Sequence, residues 1–149
     1  MRQVVIPRTA TDGVMVGGRR LGLPAATVRW IVQTVLRREK RRARVSVTFL
    51  GRDAMRRMNG EHLGGDWPTD VIAFALPGPD RVLMGDVYLC RAVARKQARR
   101  LKVPLRQELI RLVVHGTLHV LGYDHPAGEG RTRSAMWQRQ ERYVRTLTG

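Results

Sequence analysis

Eleven residues, HGTLHVLGYDH, hold three of the four histidines of this 149-residue chain. His115 and His119 stand four apart in a stretch with helical apolar spacing, so their side chains share one helix face. Gly122 falls just past that pattern, where a left-handed cap residue is expected and the chain can reverse. The reversal brings His125 back toward the same face. Three neutral imidazoles converging there would hold a transition-metal ion at about 2.0–2.1 Å and leave a fourth tetrahedral position open, as catalytic rather than structural zinc sites do. Zinc is the expected ion, although imidazole also suits nickel, copper and iron.

The same spacing occurs in zinc proteases of the pattern H-E-x-x-H-x-x-G-x-x-H. Their general-base glutamate is here Gly116, which has no side chain to activate water, so peptide hydrolysis by that route is disfavoured. Asp124 is the nearest carboxylate. It can orient a ring or shuttle a proton, and equally it can cap the turn.

Charge narrows the partner. Lys+Arg is 28 against 12 Asp+Glu, a net charge of +16, and the only lysines are Lys40, Lys96 and Lys102. Such a field attracts polyanions, and arginine suits bidentate phosphate contacts and stacking on bases. No apolar run is long enough to span a bilayer, no aromatic-flanked basic anchor points to a membrane surface, and the N-terminal residues carry no apolar signal core. Cys90 is the only cysteine and is expected to be a buried small apolar residue. These features favour the cytoplasm.

The length of 149 residues fits one domain, expected over residues 1–149. Strands are expected at 3–6, 45–50, 71–76 and 85–90, and helices at 25–38, 53–58, 91–101, 104–121 and 131–147. Residues 12–23 read as a loop or hairpin and residues 61–68 as a loop. Asp53 is the expected N-cap of the second helix. The apolar run VIAFAL predicts a strand buried on both faces. The fold class is α/β (α+β), a small mixed sheet of about four strands packed with about five helices. Thr69 and Asp70, polar groups at a strand end beside the histidine helix, are candidates to orient ligands. Trp67 reads more simply as lining its loop against the core than as stacking on a base, and His62 as a solvated loop histidine.

HGTLHVLGYDH resembles the signature of the YbeY family, bacterial metal-dependent endoribonucleases and ribosomal RNA maturation factors. Pro68-Thr69-Asp70-Val71-Ile72-Ala73-Phe74 is similar to that family's P-T-D-V-(L/I)-S-F strand, Met58-Asn59 to its L-N pair, and Gly85-Asp86-Val87 to its G-D-I strand. Met136 and Glu141 fall where its last helix often carries the same residues. The resemblance spans about residues 45–143. It implies that His115, His119 and His125 ligate zinc and that the protein hydrolyses single-stranded RNA in the cytoplasm. It also implies 16S rRNA 3′-end maturation, ribosome quality control and contact with the small ribosomal subunit, with RNA rather than DNA as the partner. The residues themselves independently allow a metal-bound water to attack phosphorus while the metal and an arginine neutralise the developing charge. Two positions depart from the family. Leu63 stands where an arginine is frequent, six residues before Thr69, and Ala73 stands for serine. The rival readings are a non-catalytic, zinc-stabilised ribosome assembly factor and a metal-dependent hydrolase of another substrate.

Overall fold

Strict apolar alternation builds the centre of the sheet. In the computed structural model, which describes residues 13–18, 21–80, 82–125 and 128–149, β1 (Val14–Gly18), β2 (Ala43–Leu50), β3 (Val71–Pro77) and β4 (Leu83–Cys90) lie in the order β1-β2-β4-β3. β2 runs parallel to both β1 and β4, and β3 pairs antiparallel with β4. Val45, Val47 and Phe49 of β2 and Val87 and Leu89 of β4 point into the main core. Cys90 of β4 and Ile72 of β3 point to the opposite face, into a smaller cluster with Met55. The two-residue period of a strand separates these sets.

Five helices complete the fold: α1 (Ala25–Arg38), α2 (Arg52–Leu63), α3 (Arg91–Leu101), α4 (Leu105–Val120) and α5 (Ala135–Thr148). α4 is the hub, packing on β3, β4, α1, α3 and α5. Ile110, Val113, Val114 and Leu118 are fully buried along it, each stabilising the fold by roughly 1.5–3 kcal/mol. α5 is tied to α4 where Arg111 donates to both Glu108 and Glu141, and to the end of α1 where Arg139 and Tyr143 donate to Glu39. Glu141, one of the residues matching the last-helix pattern, therefore anchors α5.

The mixed sheet and five helices agree with the expected class, and α1 and α3 have the expected bounds. The expected strand at 3–6 lies outside the described residues. Residues 14–18, expected within a loop or hairpin, form a strand that pairs in parallel with β2, because Val14 and Val16 alternate toward the core while β2 supplies the backbone pairing. α2 begins after Gly51 rather than with an Asp53 cap, and it continues to Leu63. Asp53 instead sits in its first turn, complementing the helix dipole. Gly64, at φ 75°, ends the helix with its N–H on the Asn59 carbonyl. β3 is not buried on both faces. It is the sheet's antiparallel edge, and Leu76 is exposed. The last helix starts later than residue 131: Gly128–Arg133 is a 3-10 turn, and Ser134 caps α5 by accepting from the Trp137 N–H at 3.1 Å. Among the described residues no helix is long and apolar enough to cross a membrane.

Gly116 is where α4 meets the sheet. A Cβ there would lie 2.5 Å from Val87 Cγ1 and 3.4 Å from Val71 Cγ2. The missing side chain is thus a packing requirement, and a glutamate has no room. Gly116→Ala is expected to lower stability by roughly 1–3 kcal/mol despite alanine's better helix propensity, measured by urea denaturation.

Candidate metal centre

The three histidines reach one point by the route their spacing predicts. His115 and His119 lie one turn apart on α4, their ring centroids 4.6 Å apart. The helix then closes with a Schellman turn: the Gly122 N–H donates to the His119 carbonyl at 3.0 Å, and the Tyr123 N–H to the Leu118 carbonyl at 3.1 Å. Gly122 takes φ 97°, a conformation that costs glycine little. The reversal sets the His125 ring 5.1 Å from that of His115 and 5.2 Å from that of His119. One nitrogen from each ring lies within 4.8 Å of the other two. Tetrahedral coordination at 2.0–2.1 Å needs nitrogens about 3.4 Å apart, so side-chain adjustments of an ångström or so close the set around an ion. The donor set fits zinc or another imidazole-binding transition metal.

Two features keep the rings in the form that binds metal. Burial pushes the His115 pKa down from 6.5 to about 4, against a hydrogen bond to the Gln140 oxygen that raises it, and the neighbouring His119, Arg131 and His125 lower it further. Burial and His125 also lower the His119 pKa. Both rings are thus neutral at pH 7, as ligation requires. Gln140 sets the orientation. Its side-chain oxygen lies 2.5 Å from His115 Nδ1 and accepts the proton there, leaving Nε2 bare for an ion. Gln140 is only 1% exposed.

A cleft of about 290 Å³ opens at the histidines, and its lining includes Leu63, Asp70, Ala73 and Arg131. Leu63 and Ala73, the two departures from the family pattern, therefore both face the site. Asp70 reaches this cleft, but its carboxylate is engaged by Thr69 Oγ1, the Val71 N–H and Gln97 Nε2. Its own carbonyl accepts from the Cys90 N–H. Thr69 and Asp70 thereby lock the start of β3 to the end of β4 and to α3. Among the described residues it is Gln140, not either of them, that bonds to His115. Asp124 accepts from the His125 N–H at 2.8 Å, so it caps the turn that delivers His125. His62 packs edge-on against Phe74. Trp67 is exposed rather than packed against the core as expected, and its carbonyl accepts from buried Asn59, which gives the Met58-Asn59 pair a loop-holding role.

Sequence reasoning missed Gln140 and Arg131. Gln140 left a detectable trace: it sits four residues after Met136 on the stripe that also holds Tyr143, Val144 and Leu147, a polar residue among buried apolar ones. Arg131 lies in a 3-10 turn, with no period to signal its direction.

The fold and site define a class: an α+β protein that presents three converging histidines, a set that could hold a metal ion, on one helix and its capping turn. Residues 23–148 match the family model described as Endoribonuclease YbeY, and the chain belongs to that family. It is 37% identical over 117 residues to the Endoribonuclease YbeY of Chlorobium luteolum, covering 78% of this chain and 83% of the relative. It is 30% identical over 118 residues to that of Thermotoga maritima, covering 79% and 77%. The solution structure of TM1509 from Thermotoga maritima superposes with a TM-score of 0.64 at 26% identity, covering 90% of this chain and 88% of that one.

Gln140→Leu is expected to weaken metal affinity about 10–100-fold, read by competition against a chromophoric chelator. The metal-free protein is expected to lose stability in acid. An unfolded His115, with its ordinary pKa of 6.5, takes up a proton that the folded ring refuses until about 4. Stability is therefore complete above pH 6.5 and falls as pH drops toward 4, by up to roughly 3 kcal/mol. Denaturant melts of His115→Gln, which lacks the titrating ring, should show a smaller fall.

Proposed function

We propose that this chain is a single-strand-specific, metal-dependent endoribonuclease, acting as one unit over residues 1–149. In this reading His115, His119 and His125 hold one zinc ion, with nickel or another transition metal as the substitute. The convergence of these three imidazoles, in a chain of the Endoribonuclease YbeY family, carries the proposal. The charge of +16 supports an RNA partner by collecting and holding a polyanion.

When bound, the ion supplies a Lewis acid for the phosphoryl group and lowers the pKa of a water molecule. The protein's own part is to hold the rings neutral and aimed, through burial and Gln140, and to keep phosphate in reach with positive charge. Hydrolysis joins the water oxygen to phosphorus. The ester P–O bond breaks with its electron pair on the leaving oxygen, and a proton released by the water neutralises that oxygen. Gly116 supplies no general base, and Thr69 and Asp70 are proposed to support the site through the strand end they fix. Acting in the cytoplasm on the 16S rRNA 3′ end, in contact with the small ribosomal subunit and in ribosome quality control, is the physiological role we assign.

One observation favours a second reading. Leu63, an apolar side chain, lines the histidine cleft, which suits an assembly factor whose zinc mainly pins the C-terminal segment. The two readings separate on one substitution. His119→Ala is expected to lose the metal and to reduce cleavage of single-stranded RNA by more than about 100-fold, with ribosome binding retained. Wild-type protein that carries zinc yet leaves single-stranded RNA intact would favour the assembly factor.

A further inference from the structure

Arg131 lines the cleft at the three histidines, and it is the only arginine that does so among the described residues. It also borders the neighbouring cavity of about 170 Å³, which holds Gln140 and the other side of His115. Arg131 therefore lies beside both the ligand ring and the residue that orients that ring.

The side chain is held in place without being neutralised. Its Cζ lies 5.6 Å from the centre of the Trp137 ring, a cation–π distance. Its carbonyl accepts from both the Ser134 N–H at 3.2 Å and Ser134 Oγ at 2.8 Å, in the turn that caps α5. Yet Arg131 Nε is buried with no hydrogen-bond partner, and no carboxylate among the described residues pairs with Arg131. The contrast is Arg111, also at the smaller cavity, whose guanidinium is occupied by Glu108 and Glu141. A buried guanidinium nitrogen left unbonded costs free energy unless a ligand completes it. A group suited to complete it is an anion that accepts planar, paired hydrogen bonds, and phosphate has that geometry.

We propose that Arg131 binds the scissile phosphate of the RNA and neutralises the charge that develops on it during cleavage. This rests on the endoribonuclease reading and names the cation that reading lacks. Leu63, on the wall of the same cleft, contributes no charge. The ring of Trp137 fixes the direction from which the guanidinium approaches.

The test compares wild type, Arg131→Lys and Arg131→Met, each loaded with zinc, in single-turnover cleavage of one single-stranded RNA. Zinc content is measured for each, and RNA binding by the metal-free proteins is titrated over a range of salt. Arg131→Met should cut about 100-fold more slowly, with full zinc content, and Arg131→Lys should recover part of the loss. The log–log salt slope of RNA binding should shrink by about 0.7 in Arg131→Met, the value for one lost phosphate contact on a single strand. Cleavage by Arg131→Met within about threefold of wild type overturns the assignment. So does a loss of activity that tracks a loss of zinc, since Arg131 would then only support the histidines. Wild type that cuts no RNA removes the endoribonuclease reading and this inference together, whereas an active wild type with an active Arg131→Met removes this inference alone.

Discussion

Helix α4 lies directly on β3 and β4 because nothing projects from it at Gly116, where Val87 and Val71 fill the space a side chain would need. That contact sets the depth of the helix on the sheet. His115, one residue earlier, is thereby sunk to 5% exposure. Desolvation then keeps its ring neutral, and a buried neutral ring needs a partner for its N–H, which Gln140 of α5 supplies. Packing, tautomer and ligand readiness follow from one missing methyl group.

α5 depends on the same helix from its other side. The Arg111 bridge to Glu108 and Glu141 and the Glu39 contacts with Arg139 and Tyr143 fix its height and rotation. Such partly buried charges are costly to leave unpaired, so the bridges act as register marks more than as sources of net stability. Through them Gln140 meets His115, and Arg131, just before the α5 cap, reaches the cleft. The site is assembled from α4, its capping turn, the start of β3 and the approach to α5.

The basic charge has more than one local use. Arg44 is paired with Asp80 and Arg56 with Asp66, Arg37 and Arg38 sit in the last turn of α1, and Arg111 and Arg139 hold α5. Net charge makes a polyanionic partner reasonable, but it does not say which cation meets a phosphate. Pairing does, because a guanidinium already matched by carboxylates has little left to offer.

Local rules made the histidine cluster legible in the sequence. A four-residue interval on a helix and a glycine past its end are short-range geometry, set by backbone periodicity and the left-handed cap, so His115, His119 and His125 could be brought together on paper. The same is true of α1, α3 and the alternating strand β2, whose periods are unbroken. Only the tertiary structure decided the rest. β1 required β2 as a pairing partner, VIAFAL required knowledge of its place at the sheet edge, and Gly116 required Val87 before its role became packing. Gln140 and Arg131 lie 25 and 16 residues from His115 in the chain. Their arrival at the site depends on how α5 docks, a long-range packing result that no short window of residues encodes.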